Sequence, residues 1–449
     1  MGGPSRFRRI PINHRGDLVK KKTIAAVVVL SCAGAASAQS SVTLFGALDA
    51  GVSYYSTTSS FYNNTGRLLL PGADIKRSQT TLSNSGTTPS RLGFRGTEDL
   101  GGGLAASFWM EAGLANDSGT GAGPGSVIVF NRRSTVSLSG PFGEVRLGRD
   151  YTPTYWNDAV FSPFSTLGVG TNVVSSVGSN LQIAKGPGSA VSATDNYMRT
   201  SNSIGYFLPP GLGGFYGQVQ YALHENASQS NVPGTPSAKG RFAGGRLGYA
   251  AEALDVALAY GESTAADATA LDAAGVATGA RLREKIKTLS LGASYNFGAF
   301  KLFGELSQVR DVSVSTVPVP VLGALSTRET DKYKGGLLGV TVPAGAGLIK
   351  GSYSWVKFDN DLGAAASPFA ADRDASVRKL AIGYEHNLLK RTALYATVAR
   401  IRIKNGQNNP AIMAASTGGT AGYLSSGAGV SGYAPRGAMG YDFGIRHVF

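Results

Sequence analysis

The feature that most restricts this chain is its period. Val42, Leu44, Gly46, Leu48, Ala50, Val52 and Tyr54 fall on one face of an extended segment, with Thr43, Asp49 and Ser53 on the other. Successive side chains leave a strand on opposite sides, so this two-residue repeat marks a strand between two unlike environments. The pattern returns along the chain. Phe215, Val219, Tyr221 and Leu223 oppose Gln218 and Gln220; Leu289, Leu291, Ala293, Tyr295 and Phe297 oppose Thr288, Ser290, Ser294 and Asn296; Ile349, Tyr353 and Trp355 oppose Lys350, Ser352 and Ser354. Glycine argues the same way: 62 of 449 residues are Gly, and each would cost a helix interior about 1 kcal/mol relative to Ala.

Residues 1–38 stand apart from that pattern. Lys20, Lys21 and Lys22 precede an apolar run from Ile24 to Ala36, and Ala36-Ser37-Ala38 supplies the small residues of a signal-peptidase site, so export and cleavage before Gln39 are expected. The polar stretch before Val19 is long for such a segment, which leaves a translation start near Val19 open. A lipoprotein signal using Cys32 is the competing reading, but Val29-Leu30-Ser31 is a poor match to it. Removing residues 1–38 takes away seven bases and Asp17, so the 42 basic and 28 acidic side chains become 35 and 27 and the net charge falls from +14 to +8. It also removes the single Cys, so disulfides and cysteine-ligated metals are excluded from the mature chain. No stretch of about 18 apolar residues remains to form a membrane helix.

Connections sort into two kinds. Short turns are expected at Asp99 to Gly103, Gly140 to Gly143, Leu208 to Gly214, Ala250 to Ala253, Asn296 to Phe300, Pro343 to Gly347 and Asn387 to Arg391. Longer polar segments alternate with them: Ser56 to Ser90, Leu114 to Ser126, Tyr151 to Arg199, His224 to Gly240, Thr264 to Arg283, Val312 to Arg328, Asp359 to Ala375 and Lys404 to Arg436. Seven turns and eight loops join sixteen strands. A soluble sandwich also alternates, but nothing in it sorts connections strictly into short and long, whereas a membrane β-barrel does so and closes all backbone hydrogen bonds in lipid. The expected fold is all-β, a single 16-stranded antiparallel transmembrane barrel over residues 39–449. In the last strand Tyr441, Phe443, Ile445, His447 and Phe449 oppose Asp442, Gly444 and Arg446. Phe449 would then sit in a lower aromatic girdle and Tyr54 near an upper one.

The ordered segments Ser40 to Ser56, Ser90 to Gly113, Phe130 to Tyr155, Asn202 to Phe207, Tyr295 to Phe303, Leu388 to Ala396 and Phe443 to Phe449 resemble those of the trimeric general porins of Gram-negative outer membranes, in particular the anion-preferring β-proteobacterial branch. The resemblance spans the mature chain. It implies a homotrimer with eight external loops, the third (151–199) folded inward as a constriction. It further implies passage of small anionic or neutral solutes, contact with outer-membrane lipid and lipopolysaccharide, and delivery by periplasmic chaperones to the barrel assembly machinery through a signal ending at Phe449.

Ion selection in a water-filled pore depends on charge at its narrowest point. Leu92 and Phe94 take the lipid parity, which turns Arg91, Gly93 and Arg95 inward. Glu111 is inward opposite Phe108 and Met110, as a wall counter-charge. Arg400, Arg402 and Lys404 share a face opposite Ala399, Ile401 and Ile403 and are read as a basic ladder on the pore wall. By resemblance, the constriction arginines of the fourth strand and after the third loop match Arg132 and Arg199; alternation leaves Arg132 and Arg133 open. The third loop holds the acids Asp158 and Asp195 against Lys185, with Asp158 a candidate wall residue. A weak to moderate anion preference is expected.

Other functions find little support. Only His224, His386 and His447 remain after processing, without a hydrolase or zinc motif, so no enzyme, cofactor or metal is expected. The Gly119 to Gly125 run lacks the Lys-Ser/Thr of a phosphate loop, and the mature chain has no basic cluster of the kind that reads nucleic acid. A substrate-specific channel and a non-conducting structural or adhesive barrel stay as alternatives; lumen aromatics such as Trp109 and Tyr216 would suit the former.

Overall fold

The computed structural model describes residues 41–61, 74–185, 196–225, 238–271, 277–319, 323–360, 374–418, 422–423 and 433–449. The export segment 1–38 and Asp195 lie outside them. Among the described residues sixteen staves form one closed antiparallel barrel: β1 (Ser41–Phe61), β2 in two pieces (Ile75–Asn84 and Arg91–Gly101), β3 (Leu104–Ala115), β4 (Arg133–Gly140), β5 (Gly143–Tyr151), β6 (Arg199–Phe207), β7 (Phe215–Ala222) and β8 (Phe242–Ala251), then β9 (Leu254–Leu271), β10 (Ala277–Asn296), β11 (Lys301–Val319), β12 (Gly323–Ala344), β13 (Gly347–Asn360), β14 (Ala375–Leu389), β15 (Thr392–Lys404) and β16 (Tyr433–Val448). Each stave pairs with its sequence neighbour, and β16 returns to β1 with Ala47 opposite Val448 and Phe61 opposite Tyr433. Phe449 completes the seam by exchanging backbone hydrogen bonds with Gly46 at 3.0 and 3.1 Å. Closure leaves no unpaired edge for lipid to meet.

All seven short turns fall where the sequence places them. Ala250 to Ala253 works without glycine because Glu252 takes the left-handed conformation, φ 47°. Two external connections are shorter than expected. β9 and β10 stay paired up to Leu271 opposite Ala277, and β11 and β12 up to Val319 opposite Gly323. Most of the segments read as polar loops at 264–283 and 312–328 is therefore strand. Their polarity reflects a hairpin that rises clear of lipid, held by register and by pairs such as Arg281 with Asp267 at 2.7 Å.

The lipid face is apolar: Val42, Leu44, Val52, Leu258, Leu306, Leu338 and Phe443 are all exposed on the outer wall. The inner wall is not uniformly wet. The third loop carries two helices, α1 (Pro153–Val160) and α2 (Val173–Lys185), and the eighth carries a short α3 (Pro410–Met413). Val173, Val174, Val177 and Leu181 of α2 join Ile412 of α3 and the inward side chains Ile286, Val309, Tyr333, Val356, Val377, Ile401 and Ile403 in one buried cluster. Loops three and eight thus pack an apolar core against the inside of β10–β15. Among the described residues α1, α2 and α3 pack mainly against β7–β14, which leaves β2–β6 as the open side.

Candidate functional site

Two loop anchors position this site. Thr152 caps α1 by accepting the Tyr155 backbone N–H, with Pro153 in the first turn, an arrangement that starts a helix at a fixed point. Farther along, the Val169 N–H donates to Asp442 of β16 at 2.8 Å, and Val173 N–H donates to Ser354 Oγ of β13 at 3.1 Å. The loop is thereby pinned across the lumen. Gly292 of β10 makes room for it: a Cβ there would lie 1.9 Å from the fully buried Phe161 ring.

On the open side the structure brings Arg91, Arg132 and Arg199 together. Arg132 Nε donates to Glu111 Oε1 at 2.5 Å, and Arg91 Nε lies 3.8 Å from the same oxygen. Tyr151, the last residue before the third loop, links the other side: its hydroxyl accepts from Arg132 Nη2 at 2.7 Å and from Arg199 Nη2 at 3.1 Å, while the Arg199 guanidinium lies 4.5 Å from its ring centre. Three guanidinium groups thus converge on one carboxylate and one phenol. Charge-assisted bonds of this kind fix the planar fork in place.

A second tier lies beside it. Arg133 also faces inward, 4.6 Å from the Trp109 ring centre and 3.8 Å from Asp150. Arg95 lies over the same indole at 5.2 Å. Arg146 binds Asp150 at 2.6 Å and Glu144 at 2.9 Å. The choice between Arg132 and Arg133 therefore dissolves: Arg133 is inward by strand parity with the buried Thr135 and Ser137, while Arg132 precedes β4 and turns in from irregular backbone. Six arginines (Arg91, Arg95, Arg132, Arg133, Arg146, Arg199) meet three acids (Glu111, Glu144, Asp150), so the cluster is net positive.

Other sequence expectations fail. Asp158 does not face water: it is 3% exposed, accepts a short hydrogen bond from the Tyr197 hydroxyl, and faces Glu305 of β11 where α1 meets the wall. Burial pushes its carboxyl above the usual range, and burial beside Asp158 pushes the Tyr197 phenol well above its own. Arg400 and Arg402 are not on the pore wall either. Tyr395 on the same stave donates to the buried Asp49 at 2.6 Å, which fixes the odd-numbered residues as inward. Ile401 and Ile403 then face the α2–α3 cluster, and the two arginines lie exposed on the outside.

Sequence reading missed Tyr151, Asp150 and Arg146. Asp150 keeps the inward parity of Arg146 in spite of the register shift between Gly148 and Asp150, so alternation could have found it. Arg146 was open to detection, since Val145 and Leu147 flank it as lipid-facing residues. Across the lumen Arg246 of β8 donates to Asn157 of α1 at 2.6 Å and to Tyr216 at 3.0 Å, so one arginine of the wall is occupied in holding the loop.

Comparison with known proteins agrees with this architecture. Residues 23–406 match the family described as Gram-negative porin. Outer membrane porin protein 32 of Delftia acidovorans is 35% identical over 434 residues, covering 96% of this chain and 100% of its own. An outer membrane porin protein of Bordetella pertussis is 28% identical, covering 84% and 93%. Among solved structures, the anion-selective porin from Comamonas acidovorans superimposes with a TM-score of 0.64 at 33% identity, covering 92% of this chain and 100% of that one. With a closed barrel, an inward third loop and relatives matched along their whole length, the chain belongs to the Gram-negative porin family of the outer membrane.

Proposed function

We propose that this porin passes small hydrophilic solutes and ions with a weak to moderate preference for anions, set by Arg91, Arg132 and Arg199 at the constriction. The observation that carries this reading is the convergence of Arg132 and Arg199 on the Tyr151 hydroxyl with Glu111 as the shared counter-charge. Preorganised cations beside the loop lower the energy of a passing anion without reorganisation, and a low-dielectric wall behind them focuses their field. Glu111 tempers the field, which keeps preference moderate. The solved relative from Comamonas acidovorans is described as anion-selective, in keeping with this.

Assembly follows the same family pattern in this reading: an exported chain cleaved before Gln39, a homotrimer in contact with outer-membrane lipid and lipopolysaccharide, and recognition of the strand ending at Phe449 by chaperones and the assembly machinery. Reversal potentials of purified protein in a planar bilayer under a salt gradient test the function. Anion preference that drops on Arg132→Gln and Arg199→Gln supports it, and cation preference in the parent protein contradicts it.

A further inference from the structure

Six arginines face the lumen between β2 and β6, and four of them have an acid beside them. Glu111 serves Arg91 and Arg132, and Asp150 serves Arg133 and Arg146. Among the described residues Arg95 and Arg199 have no carboxylate partner, and each lies against aromatic rings instead. Arg95 stands directly opposite Trp109 across β2 and β3, its guanidinium 5.2 Å from the indole centre and 5.4 Å from the centre of the Phe45 ring. Arg199 lies over Tyr151, and Trp156 of α1 has its ring centre 5.2 Å from that of the same phenol.

These rings are open to the channel. Trp109, Tyr151 and Trp156 are half-buried, and Arg95 is exposed. Of the three tryptophans in the chain, Trp355 faces outward beside the inward Ser354, and both of the others stand in the lumen next to a carboxylate-free arginine. A half-buried indole in a water-filled channel keeps apolar surface wet at a cost, which a passing ring removes. Trp109 is also held in place: its indole N–H donates to Glu111 Oε2 at 3.2 Å, and Phe45 packs against it with ring centres 4.8 Å apart. A guanidinium laid on a ring keeps its N–H edge for an incoming acceptor.

We propose that this channel favours aromatic carboxylates among the anions it passes, and that Arg95 with Trp109 is the seat of that preference. The carboxylate takes the free edge of the Arg95 guanidinium and the ring settles against the indole. Arg199 with Tyr151 and Trp156 repeats the pairing at the constriction. A small inorganic anion uses only the charge of these stations, and an aliphatic acid lacks the ring that the indole would meet. The inference deepens the transport reading and rests on it.

Block of the chloride current of the purified porin in a planar bilayer, by benzoate and by cyclohexanecarboxylate, tests the site. The two acids carry the same charge at nearly the same size, so their difference isolates the aromatic ring. Benzoate should halve the parent current at a concentration at least about threefold lower than its saturated counterpart. In Arg95→Gln benzoate block should weaken by about threefold or more, and in Trp109→Leu, which keeps apolar bulk, the advantage of benzoate should shrink. Arg95 is exposed, so its variant keeps the test informative if the Trp109 variant inserts poorly. Equal block by the two acids in the parent, benzoate block in Arg95→Gln at the parent concentration, or an undiminished benzoate advantage in Trp109→Leu overturns the proposal. A failure of the transport reading shows separately, as cation preference of the parent in potassium chloride alone; anion preference there with no difference between the two acids removes this inference and leaves that reading standing.

Discussion

Arg402 and Ile403 are neighbours on β15 that lie on opposite sides of the barrel wall, and it is the isoleucine that points in. In a barrel with a water-filled interior the reverse is expected. The inversion follows from the third and eighth loops, which bring α2 and α3 inside and turn the upper interior of β10–β15 into a packed core. The inward arginines stand on the wall these helices leave open, from β2 to β6.

Outer and inner arginines should therefore separate cleanly. Arg132→Gln and Arg199→Gln should each lower the anion-to-cation permeability ratio, by about twofold or more, whereas Arg400→Gln and Arg402→Gln leave it unchanged. Reversal potentials under one fixed salt gradient measure all four. A drop caused by Arg400→Gln would contradict the outward placement.

Glu111 is the shared counter-charge of Arg91 and Arg132. Glu111→Gln keeps the shape and frees both guanidinium charges, so anion preference should rise. Because the carboxylate is buried in the cluster, stability should also fall by roughly 1–3 kcal/mol as its donors lose a charged acceptor. A fall in anion preference would show that Glu111 acts by placing Arg132, not by offsetting it.

Loop anchorage can be broken from either partner. Gly292→Val drives a side chain into Phe161, an overpacking that costs about 1–3 kcal/mol. Leu181→Ala opens a void beneath α2 and costs about 2–5 kcal/mol. Both should lower the thermal midpoint and raise single-channel conductance, because the loop moves off the wall. Unchanged conductance in both would mean that the loop does not bound the pore.

A pH effect follows from Asp158. Burial raises its folded carboxyl above the unfolded value, so the protonated form is the one that suits the fold. The stabilisation is fully present below the unfolded carboxylate range and is lost as pH rises through the raised folded value. Asp158→Asn should weaken this dependence without removing it, because the buried Glu305 that Asp158 faces keeps a carboxyl at this site. Thermal melts across acid to neutral pH compare the two proteins.

The fold is legible because lipid imposes a simple rule: Val52 and Phe443 have to face out, and every short turn can be placed by that alternation. The same rule makes Arg91, Arg95 and Glu111 legible as inward. It fails where its premise fails. Alternation alone assigns Ile401 and Ile403 to lipid, because the sequence of β15 does not say that α2 lies behind it. Asp158 reads as a wall charge because its burial depends on Tyr197, 39 positions away. Arg132 escapes alternation because it precedes its strand, and only resemblance singles it out.

In the proposed function a positive cluster on one side of a partly filled barrel sets ion preference. Its most direct test is the reversal potential of the parent porin beside the R91Q/R132Q/R199Q variant, in the same bilayer and salt gradient. Anion preference is expected in the parent and its loss or reversal in the variant, with the barrel still conducting. Equal reversal potentials in the two proteins would contradict it.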